Sequence, residues 1–394
     1  MATRLAVAAR TTVNACGHSA AATADALQRG RSGLRRVEYP DGLVTHVGAV
    51  DAVEDVTLPA RLERFDCRNN RLAHLALAAD GFTDSVARAV AKYGSDRVAV
   101  ILGTTTSGVA EGERAFRARN QDGSLPSWYD FDHTQDYHSL ARFVAASLGV
   151  SGPQLTTSAA CASSTKVFGD AWQWIRQGLC DAAIVGGVDS LCDMTIRGFK
   201  SLELLAKDPC RPFDAARAGL SIGEAAGFIL LERHDADGPD GIVVEGYGES
   251  SDAYHLSAPH PEGLGAKLAM RAALGRAGLD PSQIDYINLH GTGTPANDAA
   301  EDRAVVDVFG TAVAASSTKG FTGHTLGAAG ITEAVIACVC LEGGFAPANL
   351  NLASLDPKVS TNILTAAHRG PIRHVLSNSF GFGGANAAVI LGRG

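Results

Sequence analysis

A layered α/β body is the fold class this sequence predicts, on three observations. Short apolar and β-branched runs, several ending in glycine, alternate with segments of helical pattern from one end to the other. The 394 residues, 46% hydrophobic and 19% charged, are ample for a large core or two fused layers. The 44 glycines and 14 prolines are spread along the chain rather than gathered into a linker, so they predict many tight turns in one compact body.

The elements follow in order. Arg4–Asn14 reads as a first strand and Ala20–Gln28 as a short helix after it. Met1–Thr23, with Arg4, Arg10 and no acid, is therefore read as the start of the fold, not as a transit segment. Arg97–Gly103 is a buried strand, Tyr137–Leu148 a helix, and Cys161–Gly178 a helix starting at or beside Cys161. Asp181–Val188, with Gly186-Gly187 near its end, and Glu224–Glu232 are further buried strands. The second half repeats the habit: strands at Ile242–Gly248 and Ile284–His290, helices at Gly263–Ala277 and Pro295–Phe309. Thr311–Lys319 leads into a glycine-rich turn and then a helix from Gly327 to Glu342. His374–Phe380 and Ala385–Leu391 are two strands around Gly381-Phe382-Gly383-Gly384. Both halves place a strand ahead of a turn with reactive side chains, without a close sequence repeat.

Composition excludes several classes. The net charge is -8 and no basic tail or lysine run is present, which argues against a nucleic-acid partner. Apolar stretches such as Val98–Leu102 and Val335–Leu341 are too short to cross a bilayer, so no membrane is expected. Eight cysteines without a signal peptide point to a reducing cytoplasm. Cys338 and Cys340, two apart among apolar neighbours, read as small core residues. No dinucleotide fingerprint and no zinc-spaced Cys/His cluster is present, so neither cofactor nor metal is expected.

Cys161 has the chemically interesting setting. It lies in Thr157-Ser158-Ala159-Ala160-Cys161-Ala162-Ser163-Ser164, where small neighbours leave room for a bulky substrate. The positive end of the following helix would favour the thiolate, the nucleophile of acyl transfer. Two histidines add to it. His290 ends a strand in His290-Gly291-Thr292-Gly293-Thr294-Pro295, and His324 sits in the turn Lys319-Gly320-Phe321-Thr322-Gly323-His324. His18, His74 and His234 stand in polar or helical contexts and read as surface residues.

These segments resemble the β-ketoacyl-[acyl carrier protein] synthases of types I and II. So do Gly323-His324-Thr325-Leu326-Gly327-Ala328-Ala329-Gly330, the run Asn378-Ser379-Phe380-Gly381-Phe382-Gly383-Gly384-Ala385-Asn386, and Cys210-Arg211-Pro212-Phe213-Asp214 with Gly223-Glu224. The resemblance runs from the first strand to the last residues. It implies a thiolase fold of duplicated halves in a five-layered α-β-α-β-α body, with residues 1–240 carrying the nucleophile and 241–394 both histidines. It implies that Cys161 is acylated, and that His290 and His324 flank the malonyl thioester, support its decarboxylation and stabilise the enolate. The N–H groups of Cys161 and Phe382 would form the oxyanion hole. Lys319 and Glu333 match a supporting charged pair, Asp298 and Glu301 match acids behind His290, and Phe380 and Phe382 match phenylalanines that line and gate the pocket. Thr106 and Phe199 are assigned to the acyl pocket. Arg61, Arg64 and Arg68, with Arg71, match a segment that docks the acidic carrier protein. The implied partners are an acyl carrier protein and a second subunit, either an identical copy or a chain-length factor. Ala216-Arg217-Ala218-Gly219-Leu220 departs from the Asp-Arg-Asp-Gly-Phe of many relatives.

Three neighbouring readings fare less well. A degradative thiolase needs a late basic cysteine, and none follows Cys340. A type III synthase carries asparagine where His324 stands. A chain-length factor lacks the nucleophile that Cys161 supplies.

Overall fold

The computed structural model describes residues 4–234 and 241–394. Its centre is an eleven-stranded sheet. In chain order the strands are β1 (Leu5–Asn14), β2 (Val98–Gly103), β3 (Gln154–Thr157), β4 (Ala182–Asp189), β5 (Ala225–Arg233), β6 (Ile242–Ser251), β7 (Tyr286–Asn288), β8 (Ala314–Ser316), β9 (Asn362–Ile363), β10 (His374–Gly381) and β11 (Ala385–Arg393). The helices that bear on function are α1 (Ala20–Gln28), α2 (Arg68–Ala78), α3 (Phe82–Tyr93), α4 (His138–Leu148), α5 (Ser163–Arg176), α6 (Leu264–Ala277), α7 (Pro295–Phe309) and α8 (Ala329–Gly343).

The pairing shows a duplication that the residues alone do not. In the first half β1 runs antiparallel to β5, β5 antiparallel to β4, β4 parallel to β2 and β2 parallel to β3. In the second half β6 runs antiparallel to β11, β11 antiparallel to β10, β10 parallel to β7 and β7 parallel to β8, with β9 added outside. The two half-sheets join where Leu5 and Ala6 pair with Val244 and Val243. The expected division between residues 240 and 241 falls beside residues 235–240, outside the described residues.

Burial explains the layers. Every residue of β2 and β4 is buried, as expected of parallel strands covered on both faces. Helices α2, α3 and α4 close the outer face of the first half-sheet and α6 and α7 that of the second. Between them α5 and α8 share one core, which gives the five layers. A Cβ on Gly330 would lie 1.9 Å from Thr165 Oγ1, so a glycine is needed where these two helices cross.

Most expected boundaries hold to within two residues. Helix α5 starts at Ser163, two residues past Cys161, because Ala160 adopts φ 49° and breaks the helical path. The segment Leu326–Gly343, with mean hydropathy 1.6 over 18 residues, is apolar enough to span a bilayer, longer than the runs singled out from sequence. It is 89% buried in the fold, so its apolarity serves the central layer. All eight cysteines are free, and Cys338 and Cys340 are core residues. His18 is exposed, whereas His74 and His234 are half-buried.

Candidate active site

The site forms where the two halves meet, at the carboxyl ends of their parallel strands. Cys161 follows β3 on a tight turn. Ser163 Oγ accepts from the N–H of Ala159 at 2.8 Å and donates to the Ala160 carbonyl at 2.6 Å. The positive φ of Ala160, unusual for a residue with a Cβ, sets the cysteine apart from the helix that follows. The sulfur is buried, and the N–H groups of Phe382 and of Cys161 itself face it. A Cβ at Gly381 would stand 3.0–3.1 Å from Ala159 and Ala160 atoms and the Cys161 nitrogen, so glycine lets the turn carrying Phe382 approach.

His290 follows β7. Its N–H and that of Gly291 donate to the two oxygens of Glu301, on α7, at 2.8 and 2.7 Å. Asn378 of β10 donates to the same carboxylate at 3.2 Å. Asp298 accepts from Phe213 N at 2.8 Å and Gly293 N at 3.2 Å and pairs with Arg217. Both acids therefore brace the backbone behind His290. Burial pushes Glu301 up to about 7 and Asp298 up to about 6, and their N–H donors pull each back.

His324 is pinned by backbone pairing with the Gly223-Glu224 motif. Its N–H donates to Ser221 O at 2.7 Å and its carbonyl accepts from Gly223 N at 2.9 Å. Its Nε2 lies 3.0 Å from Cys161 Sγ. The two imidazole rings stand edge to face, 5.2 Å between centroids, and Phe380 packs against His290 at 5.8 Å.

Lys319 is 1% exposed; its Nζ lies 2.6 Å from Glu333 Oε1 and 3.4 Å from His290 Nδ1. Burial, then the Lys319 charge, drives the pKa of both histidines well below the usual value, so both are neutral imidazoles. A Lys319 N–H donated to His290 Nδ1 leaves the ring proton on Nε2, a donor for the pocket. His324 Nδ1 has no hydrogen-bond partner among the described residues, so nothing fixes its tautomer. Its Nε2 can take the thiol proton in one step and donate in another.

The helix-start expectation for the thiol is corrected. Burial pushes Cys161 up to about 12, against the opposing pull of Lys319 and the two N–H groups. Cys161 rests as a thiol, and the neutral base in contact with it must remove the proton during attack.

One donor atom each from Cys161, His290 and His324 lies within 4.8 Å of the others, close enough to consider a metal. The Lys319 ammonium beside His290 opposes a cation there, so the arrangement suits hydrogen-bond and proton chemistry better.

The pocket is lined by Cys161, both histidines, Phe380 and Phe382, with Phe199 packed on Phe382 at 5.6 Å. Asp252 also lines it and was not picked out from sequence, while Leu220, Thr292 and Asn386 line it from segments singled out in the sequence without a role for these three. Thr106 is not among the lining residues. It is fully buried, with its hydroxyl and N–H both donated to Asp189 at 2.9 Å. Arg68, expected at the docking surface, is half-buried. Its guanidinium grips buried Glu224 at 2.6 and 2.9 Å and reaches Glu54, while Glu224 accepts from Val50 and Leu191 N–H groups. Arg71 is tied to Asp66. Arg61 caps the carbonyls of Ala146 and Ser147, and Arg64 contacts His133, both at the surface.

Residues 6–236 match the family described as beta-ketoacyl synthase, N-terminal domain, and residues 242–353 its C-terminal domain. The chain belongs to the β-ketoacyl synthase family. Among curated relatives, it is 40% identical over 267 residues to the mitochondrial 3-oxoacyl-[acyl-carrier-protein] synthase of Arabidopsis thaliana, covering 63% of this chain and 58% of that protein. It is 36% identical over 261 residues to 3-oxoacyl-[acyl-carrier-protein] synthase 2 of Staphylococcus aureus, covering 63% of each. The match thus spans about three fifths of those relatives' length. Among solved structures, the ketosynthase ApeO, in complex with its chain length factor ApeC from Xenorhabdus doucetiae, superposes with a TM-score of 0.91 at 39% identity, over 100% of this chain and 98% of that one. The ishigamide ketosynthase/chain length factor gives 0.87 at 28%, over 100% and 99%.

Proposed function

We propose that this chain is a condensing enzyme that joins an acyl group held on Cys161 to a malonyl unit carried by an acyl carrier protein, in fatty-acid or polyketide biosynthesis. The observation that carries the reading is the 3.0 Å contact of His324 Nε2 with Cys161 Sγ, beside a second neutral histidine whose tautomer Lys319 sets.

In the first step the sulfur attacks the acyl thioester of the carrier while His324 takes the thiol proton. The carbon–sulfur bond to the carrier breaks, and the departing thiolate receives that proton. The N–H groups of Phe382 and Cys161 stabilise the transient oxyanion. In the second step a malonyl thioester loses CO2. The electron pair left behind forms an enolate, whose oxygen accepts from the Nε2–H of His290 and, after its tautomer shift, of His324. In the third step the enolate carbon attacks the Cys161 thioester. A carbon–carbon bond forms, the carbon–sulfur bond breaks, and the cysteine thiolate takes a proton from solvent. Glu333, Glu301 and Asp298 serve as supports in this scheme.

A second reading is favoured by the neighbouring structures, two of which pair a ketosynthase with a chain length factor. In it the chain is the catalytic subunit of such a pair in a specialised pathway, not a homodimer. Arg61 and Arg64 remain the candidates of their segment for carrier docking, and the free cysteines suit a reducing cytoplasm.

The test is reconstitution with acyl-loaded and malonyl-loaded carrier, reading the β-ketoacyl product by mass. Turnover by the chain alone supports the first reading, and turnover only with an added chain-length factor supports the second. No product in either case, across short and medium acyl groups, rejects both.

A further inference from the structure

At the end of β4 sits a carboxylate the scheme above does not use. Asp189 is fully buried, with no lysine or arginine bonded to it among the described residues. Its charge is held by dipoles alone. Oδ1 accepts from Thr104 Oγ1 at 2.7 Å, Thr105 N at 2.8 Å, and Thr106 N and Oγ1 at 2.9 Å each. Oδ2 accepts from Thr105 Oγ1 at 2.5 Å and Gly327 N at 2.6 Å. Six donors on one carboxylate exceed its roughly four lone-pair directions, so the site is saturated.

The donors come from both halves. Thr104–Thr106 follow β2, beside the start of α5: a Cβ on Gly103 would stand 2.5 Å from Ser164 N. Gly327 lies three residues beyond His324, in a turn where Leu326 takes φ 54°. The nucleophile's helix and the base's turn therefore meet at this one side chain.

We propose that Asp189 is a positioning residue for the condensation, holding the His324 turn against Cys161. This rests on the ketosynthase reading of the site. His324 and His290 lie against the sulfur, and the charges of Lys319 and Asp189 act on it in opposite senses. The Asp189 charge opposes thiolate formation, as Lys319 favours it. The resting thiol then stays protonated until His324 takes its proton.

Asp189→Asn keeps the shape, removes the charge and replaces one acceptor with a donor. A displacement of about 1 Å at a reacting group costs about 10²-fold in rate. Condensation kcat should fall by about that factor while the apparent KM for malonyl carrier stays unchanged. Alkylation of Cys161 by iodoacetamide at fixed pH should become faster, because a negative neighbour is gone. A purely structural role would not produce opposite changes in turnover and thiol reactivity. Unchanged turnover, or alkylation no faster than wild type, overturns the proposal. If Asp189→Asn fails to fold, Thr105→Val with Thr106→Val removes two hydroxyl donors and leaves the charge. That pair should lower turnover and slow alkylation, and normal turnover in it overturns the proposal. Alkylation needs no acyl or malonyl substrate. A wild-type chain that never condenses would reject the ketosynthase reading, and the alkylation arm would still decide the role of Asp189.

Discussion

Replacing Lys319 with methionine removes the one charge that both pairs with Glu333 and sets the tautomer of His290. Breaking a buried ion pair from one side costs about 3–5 kcal/mol when the partner must stay charged. Glu333 need not stay charged: burial already lifts it to about 7 against the pull of Lys319, so in the variant it takes up a proton at neutral pH. The cost at acidic pH should therefore fall below that range. Its sign with pH follows from the raised carboxyl pKa. Stability is fully present below the unfolded value near 4.5 and is lost as pH rises through the folded value. Without Lys319 the folded value climbs further, so the deficit against wild type should widen as pH rises through 7. The catalytic effect is separate. Without the ammonium, His290 no longer prefers Nε2–H, and the enolate loses a donor worth about 10²–10³ in rate. Malonyl-carrier decarboxylation, followed as acetyl-carrier by mass, should fall by about that factor. Acylation of Cys161 should fall less, since there Lys319 acts only through its field on the thiol. A folded Lys319→Met protein that decarboxylates at the wild-type rate would refute the role given to Lys319.

Further outcomes are expected. Thr106→Phe should destabilise by about 1–3 kcal/mol through overpacking, which thermal melting checks, and a shortened product range in the same variant would place Thr106 beside the acyl chain. Phe199→Ala should lengthen or broaden the acyl chains accepted, because Phe199 lines the pocket against Phe382; an unchanged product distribution would remove it from the pocket. Arg61→Glu with Arg64→Glu should raise the apparent KM for carrier-bound acyl groups but not for a small thioester mimic, and equal effects on both would exclude docking there. Gly330→Val should lower the melting temperature sharply, since α5 leaves no room for a side chain at Thr165.

What could be read from sequence followed from local signals. β2 and β4 announce themselves as apolar runs because they are buried on both faces. Cys161, His290 and His324 stand at glycine- or alanine-rich turns, and the structure brings these three together across 163 residues of chain. What stayed illegible was long-range. Arg68 looks like any surface base until the fold places Glu224 beneath it, 156 residues away. Thr106 looks like a turn residue or a pocket wall until Asp189 claims its hydroxyl, 83 residues on. The thiol seemed activated because a helix follows it, whereas its burial is a property of both halves closing over it. Asp189 itself gave no signal, since an acid at a strand end is ordinarily solvated.

The most direct measurement is site-resolved mass spectrometry of the protein after exposure to acyl carrier protein thioesters. The expected result is a single acyl adduct on Cys161, absent from Cys161→Ala and discharged as β-ketoacyl carrier when malonyl carrier is added. An adduct on another residue, or chain elongation by Cys161→Ala, would contradict the assignment of Cys161 as the nucleophile.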